Sequence, residues 1–361
     1  MKILLTKAAG GTYDVTELTA SAQWSGNYKS CCRQMEVSVL APGKSPDAPD
    51  VAAEPGDLLQ LIGEDGEECF RGLIFRRGRA TGDAVMSLTA LDNGVILKQN
   101  QTYAKYKGMT PEGIASQLCG EFGVTKGDLA ATGYSFTRTF FGVSLYDIIM
   151  TAYTEASRSS GKKYLMRFVG DAMSVVERKV TGDTLVLEGG ASLMAADVDE
   201  DATAIVNRVK IVTDTHDIAD TVEDAENIAS FGVFQRIIKD GEDAADRAAD
   251  LLRAGGLQQK ITAQALGDVR CITGNMAVIH EPVTGLYGAY HIDSDTHTWK
   301  NGLHTMKLQL NFDAVMDEKE AGSLEKVDAS GKKQKKKQKG SLSFIYKPIA
   351  SEGAAAGMEQ K

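Results

Sequence analysis

With 361 residues, 43% of them apolar and 25% charged, the chain is long enough for two or three domains and too apolar to be intrinsically disordered. That length excludes a disulfide-stapled miniprotein, and its five cysteines, Cys31, Cys32, Cys69, Cys119 and Cys271, an odd number without a C-x-x-C pair, point to a reducing cytoplasm. Residues 1–316 carry 30 basic and 42 acidic side chains, and a body with net charge −12 argues against tight nucleic-acid binding. No signal peptide is read before Lys2-Ile3-Leu4-Leu5, and no apolar stretch approaches the ~20 residues a spanning helix needs, so neither secretion nor membrane residence is expected.

From Lys2 to about Leu97 the apolar residues alternate. Met35, Val37 and Val39 face one way; Asp57 to Ile62, Cys69 to Phe75 and Val85 to Leu91 follow as a meander with turns at Gly63 to Gly66 and Gly82-Asp83. Ala41 to Pro55, with four prolines, is a long loop. Residues 1–97 are thus expected to form a first antiparallel β-barrel-like domain.

The period changes after Asn100. Thr110-Pro111 marks a helix start, and Ile114, Leu118 and Phe122 recur every four residues until Gly123. Ser144 and Asp147 form a capping box for a second helix, whose Leu145, Ile148, Ile149, Ala152, Tyr153 and Ala156 share one face. A hairpin turning at Gly170-Asp171 follows, so residues 98–182 read as a small α/β module. Residues 183–316 read as a second β-barrel-like domain with inserted helices at Asp220 to Ser230 and Asp243 to Ala254, the latter with an Ala245, Ala248, Ala249, Leu252 stripe. The fold class is therefore α+β, mainly β. Residues 317–361 hold 10 Lys against 7 acidic residues, six of the Lys between Gly331 and Gly340. They are expected to be a flexible tail, either solubilising or binding an acidic partner, with a sticky segment at Leu342 to Tyr346.

Gly56 to Asp92 and Gly274 to Asp313 look alike. Each opens on Gly with Asp57 or Asn275, runs an apolar strand, reaches Phe70-Arg71-Gly72 or Leu286-Tyr287-Gly288, and closes with a hairpin. The likeness reflects either duplication or shared turn chemistry. If it is duplication, a trimer presents six similar barrels.

The densest cluster of functional residue types is His291, Asp293, Asp295, His297 and Trp299, at alternate positions of one strand. A two-residue turn at Asn301-Gly302 would set them opposite Phe312, Leu310, Leu308, Met306 and His304, burying two carboxylates among aliphatic groups. A three-residue loop, Lys300-Asn301-Gly302, instead puts them on a polar face beside Thr305, Lys307 and Gln309, and is preferred. His291 and His297 are then ~20 Å apart and cannot share a metal ion without residues from elsewhere, so neither metal nor cofactor is expected. His216 and His280 read as surface or turn residues. Gly43-Lys44-Ser45 lacks the first Gly of a phosphate loop, Asp197, Asp199 and Asp201 lack the Gly and Glu of a calcium loop, and Gly190-Ala191-Ser192 lacks the closing Gly of a nucleophile elbow. No nucleophile, base and oxyanion site assembles, and no catalytic residue is assigned.

Taken in order, Gly56-Asp57, Phe70-Arg71-Gly72, Ser144 to Ala156, Asn207-Arg208-Val209, Phe231 to Gln235, Ala265 to Asp268, Asp295-Thr296-His297-Thr298 and Asn301 to Met306 resemble the baseplate hub proteins of contractile phage tails. The group most similar is the hub of PBSX-type defective prophages and related bacteriocins, distant kin of the late control D proteins. The resemblance covers about residues 1–316. It implies a homotrimer joining a hexameric tail tube to a central spike, made in the bacterial cytoplasm, with a tape-measure protein and a LysM-containing adaptor as further partners. On this reading His291, Asp293, Asp295, His297, Trp299, Asn301 and Gly302 are interface residues, and the chain is not an enzyme. The alternatives are a tail-associated peptidoglycan hydrolase and a carbohydrate- or adaptor-binding β module using Trp24 or Trp299.

Overall fold

The computed structural model describes residues 1–40, 52–80, 84–179, 184–241 and 243–324. Part of the Ala41 to Pro55 loop, the Gly43-Lys44-Ser45 motif, the Gly82-Asp83 turn and the Lys-rich run lie outside the described residues. Met1–Ser323 is one unit; of the other, Leu324–Lys361, only Leu324 is described.

The N-terminal region consists of β1 (Lys2–Thr6), β2 (Thr12–Asp14), β3 (Thr19–Asn27), β4 (Ser30–Leu40), β5 (Leu58–Ile62), β6 (Glu68–Gly78) and β7 (Val85–Leu91). Alternation sets which face is buried: on β4, Cys31, Arg33, Met35, Val37 and Val39 all point inward. Met35, Val37 and Val39 meet Ile3, Leu5, Leu59, Leu61, Phe70, Ile74, Met86 and Leu88 in the first core, whereas Cys31 packs in the core of the middle region.

The middle region has α1 (Gly94–Gln99), β8 (Gln101–Met109), α2 (Pro111–Glu121), β9 (Thr125–Leu129), β10 (Phe136–Ser144), α3 (Leu145–Ser160), β11 (Tyr164–Val169) and β12 (Ala172–Glu177). Both expected caps are formed. Thr110 Oγ1 accepts from Gly113 N at 3.2 Å, and Ser144 Oγ accepts from Asp147 N at 3.0 Å, while Gly161 ends α3 at φ 74°. The apolar face of α3 is wholly buried against Tyr164, Met166, Met173 and Val175. Met316 joins this core, Tyr146 Oη donates to Asp317 Oδ2 at 2.8 Å, and Ser323 bridges to Thr139. Asp317 to Ser323, expected in the flexible tail, therefore pack on the middle module, because Met316 and the Asp317 carboxylate find partners on α3.

The last region has β13 (Leu185–Glu188), β14 (Leu193–Asp201), β15 (Arg208–Val212), β16 (Ile218–Glu223), α4 (Ala225–Phe231), β17 (Gln235–Lys239), α5 (Ala244–Ala254), β18 (Gln258–Leu266), β19 (Met276–Glu281), β20 (Leu286–Lys300) and β21 (Leu303–Asn311). Two expectations are corrected here. The stretch from Asp220 to Glu223 is strand, pairing with β15, and the helix starts only where Asp224 accepts from Asn227 N. In α5 the buried residues are Ala244 and Ala248, with Leu251 and Leu252 partly buried; Ala245 and Ala249 face solvent. Asp197, Asp199 and Asp201 lie along β14 rather than in a loop.

The chain is mainly β, with no closed barrel among the described strands. One open sheet of 13 strands runs through both β regions, ordered β14-β18-β21-β20-β3-β4-β7-β6-β5-β1-β2, with β19 on β20 and β13 on β19. The two barrel-like domains expected from the sequence thus share a sheet, joined where β20 pairs with β3.

Within that sheet one architecture occurs twice. The run β3-β4-β7-β6-β5 repeats as β14-β18-β21-β20-β19, in the same chain order, with β15 to β17 inserted. Gly56 (φ 94°) and Gly274 (φ 95°) precede the matching strands β5 and β19; Gly56 N donates to Ile74 O and Ile74 N to Asp57 O, just as Gly274 N donates to Ile292 O and Ile292 N to Asn275 O. A bulge follows at once in both, at Phe75 between Ile74 and Arg76 and at Asp293 between Ile292 and Ser294. A second bulge also repeats, between Thr19 and Ser21 on β3 and between Leu193 and Ala195 on β14. Shared turn chemistry does not reproduce two bulges and five strand partners. In this register Gly72, opposite Leu59, matches Tyr290, opposite Ala277, and not Gly288.

Candidate functional site at the seam between the two β regions

The seam is built on β20, which runs from a second β core, formed by Leu187, Ile261, Ile279, Leu286, Leu308 and Leu310 of the last region, into contact with β3. Its register with β21 corrects the loop expected from the sequence. Lys300 pairs with Leu303, so Asn301 (φ 53°) and Gly302 (φ 75°) form a two-residue turn with both central residues left-handed, as Asn-Gly favours. Trp299 then faces His304, His297 faces Met306 and Asp295 faces Leu308. The bulge at Asp293 resets the phase, so Tyr290 and Ile292 pack in the second core. His291, Asp293, Asp295 and His297 are all buried inside the chain, not on a polar face. Trp299 is partly buried, and the Asn301-Gly302 turn is exposed.

Burying two carboxylates is costly only when they are unpaired. Each here has an arginine. Asp295 accepts Arg33 Nη1 at 2.9 Å and also Arg33 Nη2, a bidentate pair, and Thr273 N and Oγ1 both donate to its Oδ1 at 2.6 Å. Burial alone would push this carboxyl up, but the Arg33 charge and these hydrogen bonds hold it below the usual carboxylate range. Arg33 comes from β4 and reaches Asp295 beneath β3 at Gly26. A Cβ there would lie 2.2 Å from Arg33 Nη1 and 3.3 Å from Asp295 Oδ1, so the ion pair needs glycine at that position. The Arg33 guanidinium carbon also sits 4.1 Å from the centre of the Trp24 ring.

Asp293 accepts Arg178 Nη2 at 2.9 Å and Asn311 Nδ2 at 3.3 Å. Arg178 further donates to Ile292 O at 3.1 Å and Val315 O at 2.7 Å, tying the end of the middle module to β20 and to the segment that follows β21. Burial raises the Asp293 carboxyl despite this pairing.

Beyond Asp295 the polar line continues through two histidines. His297 Nε2 lies 3.1 Å from Cys271 O and its Nδ1 lies 3.1 Å from His304 Nε2. Burial lowers both rings, His304 to about 4, so both are neutral near pH 7. A carbonyl can only accept, so His297 carries its proton on Nε2 and accepts at Nδ1 from His304 Nε2. Trp299 stacks on His304 at 4.1 Å, and Gly267 leaves room for that ring, since a Cβ would meet it at 2.1 Å.

The seam is thus a set of buried ion pairs and ring contacts holding β3, β4, β20 and the Cys271 to Thr273 segment in one register. Among the described residues, no three His, Cys, Asp or Glu side chains are grouped to hold a metal ion. His216 is an exposed turn residue at φ 70°, and His280 is also exposed. The sequence reading missed Arg33, Arg178, Thr273 and Gly26. For Arg33 a signal existed: it occupies an inward position between Cys31 and Met35, which calls for a buried acid elsewhere.

Two curated proteins of Bacillus subtilis (strain 168) are similar in sequence. The uncharacterized protein YqbQ is 24% identical over 266 residues, covering 71% of this chain and 81% of its own length. The phage-like element PBSX protein XkdQ is 23% identical over 308 residues, covering 81% and 93%. The fold is similar to that of the 43 kDa tail protein of prophage MuSo2 from Shewanella oneidensis, with a TM-score of 0.66 at 14% identity, covering 86% of this chain and 98% of that one. A family model described as YQBQ-like matches residues 22–311, from β3 to the end of β21 and so across both copies of the repeated unit; the chain belongs to the YQBQ-like family.

Proposed function

We propose that the chain is a structural hub of a phage-type tail baseplate, a homotrimer that joins a hexameric tail tube to a central spike. The observation that carries this is the repeated sheet unit. A subunit with two copies of one architecture presents six such copies when three subunits assemble, and so adapts a threefold object to a sixfold one. Its likeness to a PBSX phage-like element protein and to a prophage tail protein supports a place in a tail. Tube and spike are the expected direct partners, with tape-measure protein and a LysM-containing adaptor beside them.

On this reading the chain carries out no reaction: its work is done by extended β surfaces rather than by a single residue. Immunogold labelling of tail-like particles from producing cells tests it. Gold at the junction of tube and baseplate is expected; gold distributed along the tube or sheath overturns the proposal. A zymogram on cell wall is expected to show no clearing, and a band abolished by replacing one carboxylate would make the chain a hydrolase instead.

A further inference from the structure

The repeat does more than suggest six units; it says how neighbouring chains meet. Inside the chain the second copy joins the first by one strand pair, in which Ser294, Asp295 and Thr296 of β20, just past the bulge, lie opposite Asn27, Gly26 and Ser25 of β3. Matching the bulges places Arg76, Arg77 and Gly78 of β6 where Ser294, Asp295 and Thr296 stand on β20. It likewise places Asp199, Glu200 and Asp201 of β14 where Ser25, Gly26 and Asn27 stand on β3. Both matched segments lack the neighbour their counterparts have. β14 is an end strand of the sheet, paired along its length with β18 and otherwise bridged only at Leu193 to Gly189 among the described residues, and β6 pairs with β5 only up to Leu73, so past the bulge its outer edge carries no strand among the described residues.

We propose that β6 of one chain pairs antiparallel with β14 of a second copy in the register β20 keeps with β3, setting Arg76 opposite Asp201 and Arg77 opposite Glu200. This inference rests on the trimeric reading above and supplies its contact. Directly opposed residues of an antiparallel pair share a face, so each arginine meets a carboxylate. All four side chains are exposed in the single chain, although Arg77 Nη1 donates to Ala53 O at 2.8 Å. Asp197 and Asp199 add to the acidic edge. An exposed edge strand is a template for pairing with another chain, and opposite charge on the two edges disfavours β6 on β6 and β14 on β14. The contact is head-to-tail, and in the closed trimer of the reading above it makes a ring in which one sheet passes through every subunit.

The test is the solution mass of the full chain by light scattering across a concentration series, for wild type, R76E/R77E, E200R/D201R and the fourfold swap R76E/R77E/E200R/D201R. Wild type and the swap are expected near 116 kDa, three times the 38.7 kDa chain mass, and each double reversal near one chain mass. Far-UV circular dichroism checks each fold; if a reversal fails to fold, the neutral R76Q/R77Q variant replaces it and is expected to dissociate at concentrations where wild type remains assembled. A wild-type trimer that survives both reversals overturns this strand pairing and leaves the hub reading standing. Reversals that dissociate without rescue by the swap overturn the register. A wild type of one chain mass at every concentration overturns both.

Discussion

Replacing Arg33 with Met removes the guanidinium while keeping most of the volume of its stem, and leaves Asp295 buried with only Thr273 as direct hydrogen-bond donor. Breaking a buried ion pair from one side costs about 3–5 kcal/mol, since the remaining charge keeps its desolvation penalty. With a urea slope of about 3 kcal/mol/M, the unfolding midpoint falls by about 1–1.7 M. Trp24 lies against Arg33, so its fluorescence reports the transition. The pH dependence has a definite sign. In wild type the Asp295 carboxyl is depressed, so its contribution is present above the unfolded value of about 3.9 and is lost as pH falls through the lower folded value. In R33M burial, the largest influence on this carboxyl, is opposed chiefly by the Thr273 hydrogen bonds and raises the folded carboxyl above the unfolded one. The variant's deficit then shrinks on acidification from pH 7 to 5, because Asp295 takes up a proton while folded. The double variant R33M/D295L, which leaves no charge behind, is expected to recover more than half of the loss. A cost for R33M below about 1 kcal/mol at pH 7, or a double variant no more stable than the single, refutes the argument that the pair holds the seam.

Three further outcomes are expected from the same unfolding assay. Gly26→Ala drives a methyl into Arg33 and costs about as much as losing the ion pair, whereas Gly120→Ala, inside α2 with nothing near its added methyl, stabilises by about 0.5–1 kcal/mol. Equal effects of the two would refute the steric account. Ser144→Ala removes the cap of α3 and costs about 1 kcal/mol, and Ser144→Asn should restore most of it. Gly302→Val forces a β-branched residue to φ 75° in the tight turn and costs about 1–2 kcal/mol; an unchanged stability would show that the turn does not need both left-handed residues.

Much of the local structure could be read from residue order alone. The alternation on β4, the Thr110 and Ser144 caps, the face of α3 and the hairpin at Gly170-Asp171 follow from periodicity and side-chain hydrogen bonding, which act within a few residues. The likeness of Gly56 to Asp92 and Gly274 to Asp313 was also visible, through Gly-Asp and Gly-Asn at matching places. The seam was not. Local reasoning correctly recognised that the Asn301-Gly302 turn would bury Asp295 and then rejected it, because the compensating Arg33 lies 262 positions earlier in the chain. Nothing near Asp295 announces that partner, and nothing near Gly26 shows that an arginine must pass beneath it. Hydrogen-bond and helix periods are properties of a segment, but the cost of a buried charge depends on what the folded chain brings beside it, and that only the tertiary structure decides.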